Sequence, residues 1–228
     1  FHKLYYFETV LDSSATYRLE ATAKGNSISA QTGIIARIQP VEPTYSQPLR
    51  LVAFGGGYAT QTVRWNSAVN GKRYEVSYRF HWDEVRATDT LSRSFDQLIG
   101  SVVSDGLGGS EPMQIDLGGE SFFQTVANRV GDDPDVTQRI FRGVDLIWAV
   151  AGPDLHTYLL LSSPISGIVE DRPTYSNVDN GYGLFSTRRF HVLPKVLDAN
   201  SVPELVQGQY TGGLLFCVPG SSPPFGCN

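Results

Sequence analysis

The sequence predicts a mainly β fold, an immunoglobulin- or fibronectin-like sandwich with one or two short helices inserted. Three observations predict it. Only 18% of the 228 residues are charged, while 23 Gly and 13 Pro supply turns, and Val, Tyr, Phe and Thr are abundant, a balance that favours strands over helices. Several stretches alternate apolar and polar residues, the pattern of a strand with one buried face. Finally, a Trp-bearing strand ending at Trp65 is followed by a Tyr-x-Val-x-Tyr strand from Tyr74, a pairing common in such sandwiches. A chain of this length can bury a full core as one β domain, or as a small unit joined to a larger one.

Taken in order, Phe1 to Phe7 reads as a strand already in progress, with neither an initiator Met nor a signal peptide. The expectation is a mature piece of a longer precursor, with any signal or lipid-anchor cysteine upstream. Tyr17–Ala23 and Ser27–Thr32 both alternate around the turn Lys24-Gly25-Asn26, which predicts a hairpin. Pro40 and Pro43 interrupt the next stretch, so residues 38–43 read as an extended linker. The predicted organisation is therefore the end of an N-terminal β unit over 1–42, then a main sandwich domain over 43–228.

Within that domain, Leu49–Phe54 and Gln61–Trp65 read as strands, and Asn70-Gly71 as a two-residue hairpin turn. Tyr74, Val76, Tyr78, Phe80 and Trp82 share one face of the clearest strand, and this aromatic row is expected to form core. Residues 88–119 read as loop. Their cluster Gly106, Gly108 and Gly109 lacks the Lys-Ser/Thr ending of a phosphate-binding loop, so a flexible loop is predicted there. Phe122, Phe123, Val126 and Val130 recur at helical spacing, and Gly131 suits a C-terminal cap. Arg139–Val150 reads as a buried strand, Pro153–Leu160 as a short helix closed by Pro164, and Tyr210–Phe216 as the last strand.

A net charge of −5 and a pI near 5.3 leave no basic field for a phosphate backbone, so nucleic acid is excluded as a partner. No apolar run approaches the ~18–20 residues of a membrane-spanning helix. His2, His81, His156 and His191 stand far apart in no metal-binding pattern, and no Gly-x-Ser-x-Gly elbow occurs. His81 lies on the polar side of its strand, where solvent is its expected neighbour. Asp132-Asp133-Pro134-Asp135 lacks the glycine and terminal Glu of a calcium loop, and reads as a solvated acidic turn. Paired carboxylates leave no sequence spacing; Glu75, Glu84, Asp96 and Asp145 are the candidates for a hydrolase of that kind. The sequence predicts a non-catalytic protein with no cofactor and no metal.

The two cysteines, Cys217 and Cys227, bound a segment holding three Pro and two Gly. Turn chemistry of this kind lets the ends meet, and an oxidising compartment would join them. On the chain-entropy model so short a closed loop stabilises by roughly 2–3 kcal/mol.

One block carries a resemblance. Tyr175-Ser176-Asn177-Val178-Asp179-Asn180-Gly181-Tyr182-Gly183-Leu184-Phe185-Ser186-Thr187-Arg188 is similar to a block found in a family of Bacteroidota outer-membrane lipoproteins of unknown function. Phe122-Phe123, Arg139, Phe141, Asp145 and the Glu204–Thr211 stretch fit the same pattern, so the likeness runs nearly end to end. The cysteine-bounded tail departs from it. The resemblance implies no catalytic residues. It implies an extracytoplasmic lipoprotein at the outer membrane, surface-exposed or periplasm-facing, touching the membrane only through an upstream lipid anchor. It further implies an accessory subunit that binds other outer-membrane proteins, among them TonB-dependent receptors or secretion machinery. Within the block Tyr175, Asn177, Asn180, Gly181, Gly183 and Phe185 are expected to be structural, with Asn and Gly forming a tight turn. In such a source Asp89-Thr90-Leu91 would be an O-glycosylation sequence, modified on Thr90. The alternative function is a glycan- or peptide-binding module delivering ligand to a transporter, using exposed aromatics such as Tyr5, Tyr6, Tyr58 and Tyr182.

Overall fold

The computed structural model describes residues 5–6, 8–23, 25–162 and 175–227. Its strands are β1 (Thr16–Ala23), β2 (Asn26–Gly33), β3 (Gln39–Glu42), β4 (Thr60–Asn66), β5 (Arg73–Arg86), β6 (Thr90–Val103), β7 (Pro112–Gly118), β8 (Val136–Ala151), β9 (Arg188–Lys195) and β10 (Phe216–Cys217). Helices α1 (Gly119–Val130), α2 (Pro153–Ser162) and α3 (Ser201–Gln207) lie between them. The fold is mainly β, in several antiparallel sheets. β1 and β2 form a two-stranded ribbon, β3-β4-β7 a three-stranded sheet, and β6-β5-β8 run side by side in a five-stranded sheet with β6 at its edge. Because β5 pairs along the whole of β8, both β9 and β10 attach to the other side of β8, at 144–151 and 139–140.

Alternation along β5 and β8 sends one set of side chains inward. Tyr74, Val76, Tyr78 and Phe80 meet Val144, Leu146, Trp148 and Val150 in one core with Val63 and Trp65 of β4, and Met113 and Leu117 of β7. Phe122, Phe123 and Val126 of α1 enter the same core, as their helical spacing predicts. The Trp65 ring lies 5.9 Å from Tyr74 and 6.2 Å from Trp148, so the inner faces of both larger sheets meet there. Gly131 ends α1 at φ 67° and donates its N–H to the Ala127 carbonyl, the capping position that favours glycine.

Several local expectations give way to tertiary pairings. Residues 39–42 are a strand rather than a linker: Pro40 pairs with Trp65 and Glu42 with Arg64. β3 is an edge strand, where the missing N–H of Pro40 costs no ladder bond. Leu49–Phe54 contributes only isolated bridges, Leu49 to Leu197 and Val52 to Tyr58. Asn70-Gly71 is not a two-residue hairpin, because β4 and β5 belong to different sheets. Asn70 does take a left-handed backbone, φ 62°, but it turns the chain between layers. The stretch read as loop over 88–119 contains β6 and β7, and the glycine cluster between them is braced: Leu107 accepts from Asn70 N–H, and the Ser104 hydroxyl donates to the Gly71 carbonyl. Gly212–Leu214 is a 3-10 turn, so of the strand expected over Tyr210–Phe216 only Phe216 is in a strand, paired together with Cys217 in β10. The β1–β2 hairpin, α1, β8 and α2 stand where the sequence places them; Pro164 lies outside the described residues.

Candidate functional site

The inner face of the five-stranded sheet fills the core; its outer face is open. Side chains there form ranks across four strands. One rank is Leu98 on β6, Ser77 on β5, Ile147 on β8 and Val192 on β9, each paired in register with the next. A neighbouring rank is Ser101, Glu75, Ala149 and Phe190, and on the other side stand Asp96, Arg79, Asp145 and Pro194. Leu98, Phe190 and Val192 are exposed by 57%, 59% and 45%. The result is a shallow apolar groove across the sheet with ionic residues on both flanks. Exposed apolar surface of this kind, rimmed by polar groups, marks interaction sites.

The flanking charges are already satisfied internally. Arg79 grips Asp96 through two bonds of 2.6 and 2.8 Å, and this pairing holds the Asp96 carboxyl below its usual value. His81 Nε2 lies 2.9 Å from Asp145 Oδ2, so its neighbour is a carboxylate 64 positions away rather than solvent. Glu75 meets Arg73 at 3.2 Å and Arg188 at 3.6 Å. Arg188 also lies over the Phe190 ring, 5.0 Å from its centroid. Among the four acidic candidates, Asp96 and Asp145 flank Arg79 on this face, Glu75 sits across the apolar rank from them, and Glu84 is buried elsewhere. Glu75, Glu84 and Asp96 each have an arginine partner and Asp145 meets His81, an arrangement that holds all four carboxylates in place. Among the described residues no group of three or more His, Cys, Asp or Glu could hold a metal.

The remaining histidines do not join this face. His191 packs against Trp148 at 5.6 Å, and burial, then the Arg189 and Arg37 charges, lowers its pKa. His156 lies on α2 and is lowered by burial, then by Arg73 and Lys72; His2 is outside the described residues. In the acidic turn, Asp133 accepts from Asp135 N–H at 3.0 Å and from Arg86 at 2.8 Å.

The block that carries the resemblance clasps the β1–β2 ribbon. Asp179 bridges Ser29, and the Asn180 side chain donates to the Ser27 carbonyl. Asn177 spans the turn, accepting from Phe185 N–H at 2.9 Å and donating to the Phe185 carbonyl at 2.8 Å. Asn180 and Gly183 adopt φ 56° and 153°. Gly181 approaches Val178 and Ile28 closely, and the Tyr175 hydroxyl donates to Asp154 at the start of α2. Thr90 is exposed at the β5–β6 turn, where Arg86 N–H donates to the Asp89 carbonyl. Tyr5, Tyr6 and Tyr182 are exposed. Tyr58 is not a surface platform: it packs on Phe123 and Tyr210 and donates to Glu204 at 2.7 Å. Sequence reading missed the open face, because its apolar members come from three strands far apart in the chain.

Cys217 and Cys227 are joined with S–S 2.09 Å, and Val218 N–H donates to the Phe225 carbonyl across the enclosed loop. Denatured protein is therefore expected to resist iodoacetamide until reduced, then to gain two labels by mass. Labelling of both cysteines without reductant would contradict the bond. Reduction should leave the core folded and ease proteolysis after Phe216, since the loop is terminal.

No family model matches this chain, and no curated protein matches it.

Proposed function

We propose that this protein is a non-catalytic, extracytoplasmic binding subunit, and that it docks a partner protein on the open face of its five-stranded sheet. The observation carrying this reading is the apolar row of exposed Leu98 and Val192 with half-buried Ile147 in the same rank, beside exposed Phe190. Four strands about 4.8 Å apart and several ranks along them give a footprint of roughly 20 by 30 Å, the scale of one side of a standard interface. Self-satisfied ion pairs on the flanks suit a rim that fixes orientation without presenting unpaired charge to the partner. The disulfide supports an oxidising compartment, and the resemblance supports an outer-membrane setting with a membrane-protein partner.

The strand layering supports a sandwich built from the three- and five-stranded sheets over a shared core. Traced backwards, β9 to β3 in sheets 9-8-5-6 and 7-4-3 reproduces the immunoglobulin strand order A-B-E-D and C-F-G. We therefore propose that layering with the chain running through it in the opposite sense.

The test is gentle detergent extraction followed by native-size analysis and cross-linking. Native protein should co-migrate with a membrane partner, and Phe190→Glu with Val192→Glu should release it. Both sites are exposed, so the thermal transition should be preserved. A monomer in every extract would overturn the proposal.

A further inference from the structure

A second concave site lies on the outer face of the three-stranded sheet. Thr60, Thr62 and Arg64 project there from β4, because Gln61, Val63 and Trp65 between them point inward. Arg64 donates to Glu42 of β3 at 3.0 Å. Opposite them, Arg50 lies 3.7 Å from Asp198. The space enclosed is about 320 Å³, with Pro43 and Pro48 supplying its only wholly apolar lining side chains among the described residues.

The wall of this cleft is held from beneath. Lys195, buried at the end of β9, donates from its ammonium to the carbonyls of Thr44, Tyr45 and Gln47. Thr44 N–H is capped by the Gln47 side chain at 2.8 Å, and Leu49 N–H donates to the Val196 carbonyl at 2.8 Å. Asp198 is held too, accepting from Ser201 N–H and hydroxyl at 2.9 and 2.5 Å. The loop so pinned carries Tyr45, which is 76% exposed. A buried lysine spent on three loop carbonyls gives a preformed wall, which lowers the ordering cost of binding.

The chemistry of the lining selects the ligand. Arg50 and Arg64 against Glu42 and Asp198 cancel in charge, so neither an anion nor a cation matches the site. The Thr60 and Thr62 hydroxyls make no hydrogen bond to any described residue, and the Arg50 side chain is 74% exposed. A hydroxyl donates to a carboxylate and accepts from a guanidinium at once, so adjacent hydroxyls satisfy such mixed pairs without adding charge. Pro43 and Pro48 in the lining offer an apolar contact for the C–H face of a sugar ring beside these polar groups. We infer that the cleft between Arg50–Asp198 and Glu42–Arg64 binds a neutral saccharide. The inference stands independently of the docking face, which lies on another sheet.

The test titrates the full chain with glucose, galactose, mannose, N-acetylglucosamine, lactose and cellobiose, using glucose 6-phosphate as a charged probe, with NMR and calorimetric readouts. At least one neutral sugar should bind saturably, and Arg50→Ala or Thr62→Val should weaken it by about tenfold or more, the scale of a lost charge-assisted hydrogen bond. Phe190→Glu with Val192→Glu should leave it unchanged. Absence of saturable binding across the panel, preference for the phosphate ester, or indifference to both cleft variants would each overturn the inference.

Discussion

Phe80→Ala is expected to destabilise the fold by about 3–5 kcal/mol, near the upper limit for one core truncation. Phe80 is fully buried at the point where five elements meet. Its ring lies 5.7 Å from Phe95 of β6, 6.0 Å from Phe122 of α1, 5.3 Å from Phe141 of β8 and 5.7 Å from Phe216 of β10, with Trp82 of its own strand at 5.8 Å. Deleting the ring removes apolar burial and leaves a cavity between elements that other contacts hold apart, so collapse is limited. Domains of this kind have only about 5–15 kcal/mol in total. The thermal midpoint should fall by roughly 6–20 °C. Urea unfolding checks the free energy, and a loss below about 1 kcal/mol would contradict the packing described.

Glu84→Gln is expected to have a comparable effect for an electrostatic reason, about 3–5 kcal/mol as for one broken buried pair. Glu84 Oε1 accepts from the Trp82 indole at 3.3 Å and lies 3.7 Å from Arg139 Nε; Oε2 meets Arg93 at 3.2 Å and Arg86 at 3.4 Å. Arg139 is itself buried, with one N–H donated to the Leu214 carbonyl and with its Nε and Nη2 making no hydrogen bond. Removing the Glu84 charge strands that guanidinium in the interior. Arg139→Met in the Glu84→Gln background should recover part of the loss, since a paired deletion leaves no buried charge.

The same cluster sets an acid dependence. Burial by itself pushes the Glu84 carboxyl up, but bonds from Trp82 and Arg93 and the Arg139 and Arg93 charges outweigh it and hold the carboxyl below its ordinary value. The folded state thus binds its proton less readily than the unfolded chain. This contribution is fully present above the unfolded carboxyl value and disappears as pH falls through the lower folded value. Stability of the native protein against pH should therefore slope more steeply there than that of Glu84→Gln. Parallel curves in acid would show that Glu84 does not carry the dependence.

Local chemistry alone determined the strand class, the inward aromatic face of β5, helix α1 and the reach of the terminal disulfide. Each rests on a period or spacing within a short segment: Tyr74 to Trp82 at period two, Phe122 and Val126 at helical spacing, and proline-rich turns between Cys217 and Cys227. β6 escaped because Ser92, Arg93 and Ser94 are all exposed on an edge strand with one open face, which erases the alternation a half-buried strand would show. β3 was hidden by Pro40, acceptable only because tertiary structure makes that strand an edge. The period along β5 identifies His81 as outward-facing, yet cannot say that Asp145 stands beside it. The apolar groove and the polar cleft share that limit. Their members lie tens to more than a hundred residues apart and are assembled by strand register and by Lys195 holding a distant loop, interactions whose energy depends on neighbours in space rather than in sequence.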